Sequence, residues 1–197
     1  MADLHEIPDP VIDLPATGSD QIAIVAGGCF WCVEAVFEQI DGITDAESGY
    51  AGGPASKANY RAVCDGNTGH AEVVRVRFDP AKITYGQVLK LFFAVAHDPT
   101  QLNRQGADVG TQYRSEIFTL DDDQKRVAEA YIEQLNAANA FGKPIVTKVS
   151  PLEAFYPAED YHQDYASANP SRPYIVCSVG PKMQKLVKSF ANRLRQS

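Results

Sequence analysis

The chain has 197 residues, 45% hydrophobic and 22% charged, with a net charge of −7. This is enough apolar material for one sizeable core and argues against global disorder. The acidic balance argues against a nucleic-acid binder, which would carry a basic face, and no apolar run approaches the ~18 residues that would span a membrane.

The first 20 residues, MADLHEIPDPVIDLPATGSD, carry prolines at 8, 10 and 15 and acids throughout. They read as an extended N-terminal arm ahead of a single domain over 21–197. No basic region followed by an apolar run is present, so no signal peptide is expected and the expected compartment is the cytoplasm. QIAIVA (21–26) is a short β-branched run and reads as a buried strand, ended by Gly27 and Gly28. A helical pattern then starts near Cys29 and stops at Asp41-Gly42. Strands are expected over ITDAESGYAGG (43–53) and AEVVRVRFD (71–79), and a helix capped by Thr84 to about Ala96. HDPTQLNRQGADVGTQY (97–113) is a long polar stretch of the kind that carries function. YRSEIFTL (113–120) reads as a strand, and Asp121 opens a helix with acids in its first turn. PIVTKVSP (144–151) and PYIVCSV (173–179) read as strands, and a basic amphipathic helix runs from Pro181 to about Arg195. The irregular alternation points to an α+β, two-layer α/β sandwich with long functional loops.

The chemistry concentrates in GGCFWC (27–32). Four cysteines in a chain of this length are not a disulfide scaffold, and a close pair without an export signal points to redox or metal chemistry. A thiol reacts as its thiolate, and a helix N-terminus can lower a cysteine pKa from about 8.5 to roughly 3.5–7.5. Cys29 therefore reads as an activated nucleophile. Cys32, at i+3, reads as its redox partner or as a small core residue. At least one of Phe30 and Trp31 is expected to line a pocket beside the thiol. Other readings of these residues are a thioredoxin-like disulfide oxidoreductase, a cysteine hydrolase pairing Cys29 with His162, and a zinc module using Cys29, Cys32, Cys64 and His70. His70 and His97 read as turn or capping residues, with His97 a welcome cation after a helix C-terminus.

GCFWC (28–32), GHAEVVRVRFDP (69–80), HDPTQLNRQGADVGTQYRS (97–115), FYPAEDYHQDY (155–165) and NPSRPYI (169–175) together resemble the peptide-methionine (S)-S-oxide reductases, the methionine sulfoxide reductase A family. The likeness covers roughly residues 21 to 190. It implies a ferredoxin-like core and reduction of the S epimer of methionine sulfoxide, free or in proteins. It places the nucleophile on Cys29, the methyl-binding aromatics on Phe30 and Trp31, and the acid on Glu72. The oxygen-binding phenols fall on Tyr60 and Tyr113, and Asp108, His162 and Tyr165 fall around the substrate. The family motif usually reads GCFWG, and many members carry resolving cysteines in a glycine-rich tail. Here Cys32 replaces the glycine and the sequence ends FANRLRQS. The expectation is a Cys29–Cys32 disulfide recycled by thioredoxin, with Cys177 as the rival partner. No bound cofactor or metal is expected, nor any nucleic-acid or membrane partner, and the protein is expected to act as a monomer.

Overall fold

The computed structural model describes residues 7–16 and 18–196. Residues 1–6 and Thr17 of the expected arm lie outside the described residues. The chain folds as β1 (Gln21–Gly27), α1 (Phe30–Phe37), β2 (Ile43–Ala51), α2 (Tyr60–Cys64), β3 (Ala71–Phe78) and α3 (Tyr85–Leu91). It continues with β4 (Arg104–Gln105), β5 (Asp108–Val109), β6 (Ser115–Thr119), α4 (Asp122–Ala137), β7 (Lys148–Pro151), β8 (Phe155–Pro157), α5 (Tyr165–Ala168), α6 (Pro173–Ser178) and α7 (Gly180–Phe190).

Six strands form one sheet in the order β7-β6-β1-β3-β2-β8, and β4 and β5 form a separate short hairpin. The inner pairs β6–β1, β1–β3 and β3–β2 are antiparallel. With α1 between β1 and β2 and α3 between β3 and β6, this is the ferredoxin-like arrangement that the resemblance implied.

Period-2 alternation decides which side of the sheet each residue serves. Ala23 and Val25 of β1, with Val74, Val76 and Phe78 of β3, join the main core with Phe30, Val33, Val36 and Phe37 of α1 and Phe92 and Phe93 after α3. Ile24, Ala26, Ala71 and Val73 face the other way, in a smaller cluster with Phe118. Glu72 shares the helix-side parity of Val74 and Val76, which aims its carboxyl at the start of α1.

Local chemistry starts the helices as expected. Thr84 and Gln87 form a reciprocal capping box on α3. The Asp121 side chain accepts from the Gln124 N–H at 2.8 Å at the start of α4. After Leu91 the helix widens into a π-helical segment, Phe92–Ala96. The described part of the arm packs on these helices. Ile7 is buried in the main core, the Tyr131 hydroxyl donates to the Pro8 carbonyl at 2.7 Å, and Lys90 pairs with Asp9 at 2.9 Å.

Several expected elements differ. The expected strand over 173–179 is instead helix α6, Pro173–Ser178, with Val179 at its C-terminal cap. Pro173 takes the first helical position, and Ile175 and Val179, four residues apart, bury one face against Cys29, Cys32 and Ala35. The expected strand over 144–151 is confined to β7, an edge strand parallel to β6. The helix expected to reach Asp41-Gly42 ends at Phe37, and the last helix ends at Phe190, followed by one 3₁₀ turn. His97 is not a solvated cation. It is buried, stacks on Phe92, and bonds the Phe92 carbonyl and the Ser115 hydroxyl. Burial drives its pKa down to about 3, so it is neutral.

Candidate active site

The β1 strand delivers Gly27, Gly28 and Cys29 to the edge of the helix layer. Gly28 has φ +89, and a Cβ there would meet the Gln105 side chain at 2.5 Å. Glycine thus allows both the turn and the close approach of the loop that follows α3. Cys29 is the N-cap residue of α1, and its carbonyl accepts from the Cys32 N–H at 3.0 Å.

The Phe30 N–H, the first donor inside the helix, does not serve the sulfur. It donates to Glu72 Oε2 at 3.0 Å. This corrects the simple picture of a thiol activated by the helix end. Cys29 is 8% exposed, and burial pushes its thiol well above the ordinary range, with the adjacent Cys32 sulfur adding to the effect. Cys32 moves the other way, lowered first by the hydrogen bond from Cys29. The two thiols thus shift in opposite directions, Cys29 up and Cys32 down.

Cys29 nevertheless opens on a cavity of about 210 Å³, walled by Phe30, Trp31, Tyr60, Glu72, Asp108, Tyr113 and Tyr174. Of the ten residues expected at the site, seven share this space: Cys29, Phe30, Trp31, Tyr60, Glu72, Asp108 and Tyr113. Tyr60 comes from the first turn of α2, capped by Asn59. Glu72 comes from β3, opposite Tyr50. Asp108 comes from the β4–β5 hairpin, and Tyr113 from the 3₁₀ turn Thr111–Tyr113.

His162 and Tyr165 do not line the cavity. They stand behind Trp31, whose ring stacks on Tyr165 at 3.9 Å and whose Nε1 donates to His162 Nδ1 at 3.1 Å. His162 Nε2 therefore carries the proton, 3.9 Å from Glu159, and burial lowers the pKa of the ring. With both nitrogens so directed, His162 is not a base for Cys29, which removes the cysteine-hydrolase pairing. Cys64 is exposed and lies outside this cavity. Among the described residues no three His, Cys, Asp or Glu side chains converge to hold a metal ion.

Cys32 faces a second cavity of about 750 Å³, which Cys29 also lines, together with Asp108, Tyr174, Cys177 and Lys182. Sequence reasoning missed Tyr174 and Lys182. The Tyr174 hydroxyl donates to Asp108 Oδ2 at 2.5 Å and lies beside both sulfurs. The NPSRPYI segment contained the signal, but reading 173–179 as a strand hid its direction.

Glu72 is 2% exposed. Burial, then the charge of Cys29, raises its carboxyl well above the carboxylate range, and the Phe30 hydrogen bond only partly offsets this. Burial likewise raises the phenols of Tyr60 and Tyr113. The cavity thus collects one sulfur, one carboxyl pushed toward its protonated form and two phenols against aromatic walls.

The family described as Peptide methionine sulfoxide reductase matches residues 21–194. The chain belongs to this family. It is 48% identical over 194 residues to Peptide methionine sulfoxide reductase MsrA 2 of Synechocystis, covering 96% of this chain and 90% of that one. Among solved structures of the family, Mxr1 from Saccharomyces cerevisiae in reduced form is 40% identical, with a TM-score of 0.71 over 78% of this chain and 87% of that chain. Mxr1 in complex with Trx2 matches at 29% identity and a TM-score of 0.50, covering 79% and 90%.

A sulfoxide held in this cavity would have Tyr60 and Tyr113 in the surrounding wall, and its oxygen would gain charge as the bond to sulfur breaks. Removing one hydroxyl from a preorganised pair of donors is expected to cost on the order of 10- to 100-fold in methionine formation, and removing both costs more than either. Tyr60→Phe, Tyr113→Phe and the double variant, compared by kcat/KM, measure this. Wild-type rates in both single variants would remove the phenols from the reaction.

Proposed function

We propose that this protein reduces the S epimer of methionine sulfoxide, free or in proteins, to methionine. The observation that carries the reading is the 210 Å³ cavity, where Cys29, the buried Glu72 carboxyl, Tyr60 and Tyr113 meet the aromatic walls of Phe30 and Trp31. Its size suits the end of one side chain, below the several hundred Å³ of a drug-sized pocket. Phe30 and Trp31 seat the methyl group, and Tyr165 and His162 hold the Trp31 ring in place. Glu72 protonates the oxygen, with Tyr60 and Tyr113 donating to it. The Cys29 sulfur attacks the sulfoxide sulfur, methionine leaves, and the oxygen remains on Cys29 as a sulfenic acid.

Cys32 then resolves the sulfenic acid. It follows Cys29 by three residues, packs in the same cluster and lines the same cavity. Thioredoxin reduces the resulting disulfide, a reading supported by the Trx2 complex of the yeast relative. Residues 21–197 form the catalytic domain, with residues 1–20 as an arm. Among the described residues no helix is long and apolar enough to cross a membrane. A cytoplasmic location suits four free thiols, two of which must return to the reduced state in each cycle.

The test is one equivalent of methionine sulfoxide without reductant, followed by peptide mapping. One methionine per enzyme and a Cys29–Cys32 disulfide are expected. In Cys32→Ser the first methionine still forms, Cys29 accumulates as a sulfenic acid, and thioredoxin-supported turnover falls by at least about tenfold, as expected when the attacking thiolate is lost. Unchanged turnover in that variant would pass the resolving role to Cys177.

A further inference from the structure

The larger cavity contains a cation that the steps above leave unused. Lys182 lies in the first turn of α7 and lines the cavity beside Cys29, Cys32, Tyr174 and Cys177. Its Nζ donates to the carbonyl of Ala96, the last residue of the π-helical segment, whose terminal carbonyls lack partners within the helix. That single carbonyl fixes the ammonium but does not neutralise it. Among the described residues Lys182 forms no ion pair with a carboxylate. Lys182 is half-buried, and partial burial lowers its pKa while the charges of Cys32 and Cys29 act to hold the ammonium. The acidic groups that share the cavity with it include the Cys29 and Cys32 thiols, Asp98 and Asp108, and of the charges acting on Lys182 that of Cys32 is the largest, ahead of Cys29 and Asp98.

We propose that Lys182 is a positioning residue for the second half of the reaction: its ammonium, tethered to Ala96, holds the Cys32 sulfur as a thiolate aimed at the oxidised Cys29. The proposal rests on the reading of Cys32 as the resolving thiol. Cys29 and Cys32 come from the start of α1, Tyr174 and Cys177 from α6, Asp108 from the β4–β5 hairpin, Asp98 and His97 from the loop after α3, and Lys182 and Lys185 from α7. His97 is neutral, so Lys182 is the cation lining the cavity. Its charge and the Cys29 hydrogen bond both favour the Cys32 thiolate, and burial and Asp108 oppose it.

In the resolving step the S–S bond forms and the S–O bond of the Cys29 sulfenic acid breaks. The Cys32 sulfur is oxidised and the Cys29 sulfur reduced. The departing hydroxide takes up the proton that Cys32 gave up and leaves as water. A thiolate on Cys32 is what this step consumes, and it is needed again in every cycle.

The experiment mixes stoichiometric methionine sulfoxide with wild type, Lys182→Gln, Lys182→Arg and Cys32→Ser, and follows methionine release and disulfide closure separately against pH. In Lys182→Gln, disulfide closure at neutral pH is expected to slow about tenfold and its pH midpoint to rise by about one unit. The methionine burst should change less than about threefold, because Lys182 stands outside the cavity where the sulfoxide reacts. Lys182→Arg restores most of the closure rate. Equal slowing of both phases without a midpoint shift, or no slowing, overturns the proposal. Should Lys182→Gln not fold, iodoacetamide labelling of Cys32 in the wild type decides: a pH midpoint at or above the ordinary thiol value of about 8.5 overturns it. If Cys32→Ser closes a disulfide at the wild-type rate, the resolving role of Cys32 falls, and this proposal with it. If Cys32→Ser blocks closure while Lys182→Gln matches the wild type, only the role of Lys182 falls.

Discussion

Replacing Cys29 by serine is expected to reduce methionine formation by at least about 10³-fold, the scale seen when a nucleophile is removed from an enzyme site. Serine fills nearly the same volume, so the fold should survive. What disappears is a soft, ionisable atom beside the sulfoxide sulfur. An assay with dithiothreitol in place of thioredoxin isolates the step, because it bypasses Cys32. A residual rate of even a few per cent of wild type would mean that another group attacks the substrate. Cys32, which gives up its proton more readily than Cys29, would be the first suspect, although it faces the larger cavity and lies outside the wall of the smaller one.

Glu72→Gln is expected to cost about 10²- to 10⁴-fold in the first turnover, the range for loss of a general acid. The amide oxygen can still accept from the Phe30 N–H, so the helix start keeps its partner. The pH profile gives a second readout. The carboxyl is held protonated well above the ordinary range by burial and by Cys29. The competent acid is therefore present on the acidic side, and the wild-type rate falls as pH rises through its raised pKa. The variant has no proton to lose there and should lack that limb. Stability follows the same sign. Above the ordinary carboxylate pKa of about 4.3 the unfolded chain gives up this proton while the folded chain retains it. Folding stability contributed by the group thus declines with rising pH between the ordinary and the raised value, and Glu72→Gln should escape that decline. Thermal unfolding of both proteins across this window measures the difference. A wild-type rate equal to that of the variant would remove Glu72 from proton transfer.

The central part of the fold was legible because each segment carried its own period. Alternation in AEVVRVRF places Glu72 on the same side as Val74 and Val76, and QIAIVA followed by two glycines gives a strand and a turn. The PYIVCSV run misled because β-branched residues favour strands only when a pleated surface awaits them. Here Pro173 starts a helix, and the four-residue spacing of Ile175 and Val179 finds a partner in α1. The site was legible in its residue types and, through the family resemblance, in their assignment. Its electrostatics were not. A glycine turn before a helix suggests an activated thiol, but pattern alone does not reveal that Glu72 takes the first N–H or that the sulfur is buried. Lys182 carried no distinguishing mark among the lysines of a basic helix, since only the packing of α7 against the π-helical segment turns it inward.

The sulfur of Cys29 is a partition with a space on each side of it. In the proposed cycle the oxidised side chain and the recycling thiol would reach that atom from different rooms, so product departure and disulfide closure would not have to follow a fixed order.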